Sequence, residues 1–217
     1  MKRFSVINGV ELDESLEKQW LELDSRVFPE GSGNEVDPEY LKGLFATKEQ
    51  REGLFFLRDN QANKLAGYMA RCGISDSQRD AYMSGEIDFT QIKNIGMKKG
   101  DNNMYLFTTA MDENYRGIKA PAALPVLCQA FADWITELEQ QGKNITHVLS
   151  DAVTKEGADL DMKLFELQPH GEHDEDGCGH YVGKNLDGFV GTMDKRREAI
   201  KKLNTKSSEQ APSGTEK

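Results

Sequence analysis

The chain has 217 residues, enough for one domain or one domain with a tail at about 100–200 residues per domain. Lys and Arg number 27 against 37 Asp and Glu, giving a formal charge of −10. This acid excess argues against nucleic-acid binding, which needs clustered cations for phosphate contacts, and suits an amine-bearing partner or plain solubility.

Residues 12–28 open the chain's helical pattern. Leu16, Trp20, Leu23 and Val27 recur at steps of three and four, with Asp13 placed to cap the start. Residues 29–34 read as a loop, and Pro38 suits the first position of a short second helix over 38–46. The period then changes. Residues 53–57 and 64–72 read as two strands joined by turn residues 59–63, an antiparallel hairpin. Residues 76–100 are polar and poorly patterned and read as an insertion or a pair of irregular segments. Residues 104–111 form the clearest strand, followed by a polar turn over 112–117.

The clearest helix carries Leu124, Leu127, Cys128, Phe131, Trp134, Ile135 and Leu138 on one stripe and is ended by Gly142. A strand over 145–149 and a helix over 156–167 complete a β-α-β-α run, which favours a parallel strand pair. Beyond it, 181–182 and 188–190 are short strand candidates and 194–203 is a basic helical segment. Residues 204–217 cannot bury an apolar face and are expected to be a disordered tail behind a domain spanning 1–203. His147, inside an apolar strand, reads as a hydrogen-bonded core histidine.

Three short stretches carry a resemblance. Gly67-Tyr68 looks like a "GY" strand. Residues 109–117, Thr-Ala-Met-Asp-Glu-Asn-Tyr-Arg-Gly, look like a "V-x-P-x-Y-R-G" strand-to-loop junction. Leu164-Phe165-Glu166-Leu167 looks like the end of an "L-Y-E-K-L-G-F" helix. With the element order, the chain resembles the GCN5-related N-acetyltransferases (GNATs). The resemblance implies a mixed, mostly antiparallel α/β sheet flanked by helices, with one parallel strand pair. It implies acetyl-coenzyme A (acetyl-CoA) as co-substrate and transfer of its acyl group to an amine of a small molecule or protein. A non-catalytic module of the same fold that binds a partner protein is the competing reading.

The family's pyrophosphate loop maps onto Ala110, Met111, Arg116, Gly117, Ile118, Lys119 and Ala120. A turn entering a helix offers backbone N–H groups and a positive dipole end to an anion. Here Lys119 and Pro121 stand where the family has small residues, and Pro121 has no N–H to give. Either Lys119 replaces the lost donors with charge, or the loop no longer holds the co-substrate. The family's leaving-group tyrosine is Phe165 here, which reads as a core aromatic. The position of its strand-borne base is Tyr105, and Asp151 at the end of the next strand is the nearest carboxylate. Those two residues are the catalytic candidates.

His170, His173, Cys178 and His180 crowd one polar stretch. Their spacing matches no standard zinc pattern, and an ordinary solvated loop fits its acids and glycines. No run of about 18 apolar residues marks a membrane span. Cys72, Cys128 and Cys178 are odd in number and widely spaced, which favours a reducing, cytoplasmic setting.

Overall fold

The computed structural model describes residues 2–32 and 34–209. Seven strands form one sheet in the order β1-β2-β3-β4-β5-β7-β6. They are β1 (Phe4–Asn8), β2 (Leu54–Asp59), β3 (Lys64–Ile74), β4 (Gly100–Met111), β5 (Lys143–Ala152), β6 (Gln168–His173) and β7 (Gly179–Gly183). Among the described residues only the β4–β5 pair is parallel. The sheet is therefore the mixed, mostly antiparallel α/β arrangement that the resemblance implies.

On one face lie α1 (Glu14–Val27), α2 (Pro38–Leu44) and α4 (Asp76–Met83), with the single turn α3 (Lys48–Arg51) before β2. The Asp13 side chain accepts from the Leu16 N–H at 2.7 Å and starts α1. Trp20 is fully buried beneath it, edge-on to Phe45, Phe56 and Tyr68 at 5.7–5.9 Å. Helices α5 (Ala123–Gln140) and α7 (Asp187–Glu209) cover the other face. There Phe131, Phe165 and Phe189 pack at ring separations of 5.0–6.0 Å, with Trp134 against Phe55 and Phe131. The short α6 (Lys155–Lys163) follows β5, capped by Thr154.

Pro125 occupies the first turn of α5, where a missing N–H costs no helical bond, so the helix starts one residue before Leu124. Gly142, at φ +72°, turns the chain from α5 into β5.

The structure departs from the sequence reading in five places. Strand β1 pairs with β2 although its own sequence is short and mixed; its register comes from backbone bonding to β2. The expected insertion contains α4, capped by the Ser75 side chain on the Gln78 N–H. Residues 188–190 are helical, the first turn of α7, because Phe189 and Met193 are four apart and bury one face. His147 is exposed, not in the core, beside Arg79 of α4. Helix α7 reaches Glu209, into the expected tail; residues 210–217 lie outside the described residues. Among the described residues no helix is long and apolar enough to cross a membrane.

Candidate active site

The site begins with a defect in β4. The β3–β4 register pairs Ala70 with Thr108 and Arg71 with Leu106, leaving Phe107 as an extra residue on β4. Such a bulge bends and twists its strand. The parallel pairing of β4 with β5 stops at the same level, at Leu106 with Ser150. Beyond it β4 runs on through Met111 beside β3, while β5 continues through Asp151 and Ala152 beside β7. Phe107, Thr108 and Thr109 are half-buried between buried neighbours at the level where β4 and β5 part, and the gap between the parting strands is the candidate cleft.

The two catalytic candidates meet at the closed end of that cleft. Tyr105 and Leu149 are register partners, and the Tyr105 hydroxyl donates to Asp151 Oδ2 at 2.7 Å. Strand β7 brings His180 opposite Asp151, and His180 Nδ1 contacts Asp151 Oδ1. Helix α4 adds Tyr82, whose hydroxyl is 2.7 Å from the same Nδ1. Three rings stack edge-on in sequence, Tyr105 to Tyr82 at 5.4 Å and Tyr82 to His180 at 5.0 Å. Burial and the neighbouring Asp151 push the Tyr105 phenol well above its ordinary value, and the same causes raise Tyr82. Both phenols therefore stay protonated and act as donors around one carboxylate.

Tyr105 and Asp151 are reached by mapping the resembled family's strand-borne base onto the two strands. His180 and Tyr82 escape it as partners, because one sits in a loop-like stretch and the other in a poorly patterned one. Only the β5–β7 register and the packing of α4 bring them in. The other histidines turn elsewhere: His170 Nε2 lies 3.3 Å from the Met83 carbonyl and His173 Nε2 2.9 Å from that of His180. Phe165 is packed in the core against Phe131 and Phe189 and has no proton to give.

At the open end of the cleft, Ala110 and Met111 finish β4 and are buried, and two short 3₁₀ turns lead to α5. Gly117, at φ +56°, makes the second turn possible. Arg116, Gly117, Ile118 and Lys119 are exposed, Ile118 almost completely, while Ala120 is buried against α5. The turns consume some backbone donors, with Lys119 N–H on the Arg116 carbonyl and Ala123 N–H on that of Ala120. Arg116 Nε donates to the Met111 carbonyl at 2.8 Å, fixing its stem at the strand end. An anion at this loop meets two exposed cations and the N–H groups that the turns leave unbonded. The residues fit a phosphate-bearing group through charge.

With its seven-strand order and its β4–β5 parallel pair, the chain has a fold like that of the GCN5-related N-acetyltransferases. Solved structures bear this out. An N-acyl amino acid synthase, FeeM, from uncultured soil microbes superposes with a TM-score of 0.52 at 13% identity, over 85% of this chain and 90% of that one. A mosquito arylalkylamine N-acetyltransferase-like protein, 5b, gives 0.51 at 12% identity, over 83% and 99%. A GNAT-family acetyltransferase structure from Bordetella pertussis gives 0.50 at 12%, over 84% and 95%. No protein-family model matches the sequence, and no curated protein matches it either.

Proposed function

We propose that the protein is an N-acyltransferase that moves the acyl group of acetyl-CoA to an amine. The observation that carries this reading is the Tyr105–Asp151–His180 cluster at the level where β4 and β5 part. The amine acceptors named for the N-acyl amino acid synthase and the arylalkylamine N-acetyltransferase-like neighbour lend it support.

In this reading Arg116 and Lys119 hold the phosphates, and the half-buried edge 107–109 lines the path to the reacting carbon. Asp151 and His180 take the proton released by the amine as its N–C bond forms and the C–S bond breaks. Tyr105, held protonated, returns a proton to the leaving sulfur and is recharged from Asp151. A positioned base or acid contributes about 10²–10⁴-fold. Holding amine and thioester together supplies much of the remainder.

The test is steady-state acetylation of a panel of primary amines by wild type, Asp151→Asn and Tyr105→Phe. Asp151→Asn is expected to lower kcat at least about 100-fold, and Tyr105→Phe about 10-fold or more, with melting temperatures preserved. Acetylation by both variants at the wild-type rate would remove the cluster from the chemistry. Absence of acetyl-CoA binding by wild type at millimolar ligand would remove the enzyme reading and leave a partner-binding module of this fold.

A further inference from the structure

The reaction above makes no use of a buried arginine next to the bulge. Arg71 of β3 is only 1% exposed. Its Nη1 donates to the Ala70 carbonyl at 3.0 Å and to the Thr108 carbonyl at 2.6 Å. Its Nη2 donates to Thr109 Oγ1 at 2.8 Å. Ala70 and Thr108 face each other across the strands, and Phe107, the extra residue, immediately precedes Thr108. The guanidinium fork thus holds both sides of the bulge at once.

Its surroundings offer little else. The Phe131 and Phe165 ring centres lie 4.7 and 5.6 Å from Cζ. Among the described residues no carboxylate comes within 4.0 Å, Asp161 acts on the guanidinium only at longer range, and Nε has no partner. Removing a guanidinium from water without a carboxylate beside it works against stability. An apolar side chain would fill this aromatic pocket at lower cost. What the arginine adds is two rigidly spaced donors for 108–109, a segment that has left β5 and gains no rung from it. Lysine, with one mobile ammonium, cannot span both acceptors.

We propose that Arg71 is a positioning residue that clamps the β4 bulge and so sets the opening of the cleft. Its link to co-substrate binding rests on the acyltransferase reading; the clamp itself does not. Two variants test it, Arg71→Met and Arg71→Lys, the second keeping charge and length without the fork. Three measurements are made on each: melting temperature, amide hydrogen exchange of residues 107–110, and calorimetric titration of acetyl-CoA.

For Arg71→Met the melting temperature is expected to hold or rise, while exchange at 107–110 accelerates at least about tenfold. The acetyl-CoA Kd is expected to rise at least about tenfold, which is about 1.4 kcal/mol. Arg71→Lys is expected to fall between wild type and Arg71→Met, and it carries the same tests should Arg71→Met fail to fold. Wild-type exchange at 107–110 in both variants would overturn the clamp. Faster exchange with an unchanged Kd would overturn its control of the cleft. If wild type itself binds no acetyl-CoA, the acyltransferase reading fails, and the exchange result alone decides the clamp.

Discussion

Asp161 illustrates how one buried carboxyl records the field of the cleft. It is 4% exposed on α6. Burial pushes its pKa from 3.8 up to about 7, and Asp151 adds to the rise, while the Ser150 hydroxyl and the Arg71 charge oppose it. The folded protein keeps this proton at pH values where the unfolded chain has lost it. Its stabilising contribution is complete below about 4 and disappears as pH rises through about 7. A shift of this size is worth roughly 4 kcal/mol. Urea unfolding of wild type should therefore show stability falling between about pH 4 and 7, and Asp161→Asn should flatten that dependence. An unchanged slope in the variant would show that Asp161 does not titrate there. None of this is visible in the sequence: Asp161 sits in a helix rich in charged residues, and only the packing of α6 against β5 takes it out of water.

Elements with a strong period were readable, and those that borrow their order from neighbours were not. Helix α5 shows why. Its stripe of Leu127, Phe131, Trp134 and Leu138 is almost wholly buried against the sheet. Trp134→Ala opens a large cavity beside Phe55 and Phe131, and a loss of about 3–5 kcal/mol is expected by chemical denaturation. A near-neutral result would mean that the helix face can collapse into the space. By contrast β1 is short and mixed, and β6 and α4 are short and polar; backbone pairing or side-chain capping holds them where the apolar period is too short to read. The loop before α5 lies between these cases. Its Arg-Gly was legible, but the Arg116 bond to the Met111 carbonyl was not. Lys119→Ala is expected to weaken acetyl-CoA binding about tenfold and leave stability alone, since one charge-assisted contact is worth about 1.5–3 kcal/mol. Arg116→Ala is expected to weaken binding similarly and also to lower stability slightly, because it frees the end of β4. Calorimetry with melting curves separates the two effects, and equal binding by wild type and both variants would place the phosphates elsewhere.

The whole molecule is two half-sheets held by one parallel seam. Strands β1 to β4 form one half and β5, β7 and β6 the other, and the seam between them ends at Leu106 with Ser150. The order of elements was legible because the β-α-β passage through α5 dictates a parallel pair. The opening was not, because a bulge is a one-residue change of register that leaves hydrophobic alternation intact on both sides. A ligand lodged in the opening touches both halves and should brace the fold as a unit. Acetyl-CoA at 100 times its Kd adds about 2.7 kcal/mol to a folded state that alone binds it. For a chain of this length 1 kcal/mol moves the melting temperature by about 2–4 °C, so a rise of roughly 5–11 °C is expected. Coenzyme A lacking the acyl group should give most of that rise, since on the proposed acyltransferase reading the loop cations and the edge 107–109 would meet parts common to both. An equimolar nucleotide without the pantetheine arm should give much less, because it reaches the loop and not the seam. Equal shifts from all three would mean that the ligand sits on the loop alone, and that the cleft between the half-sheets takes no part in binding.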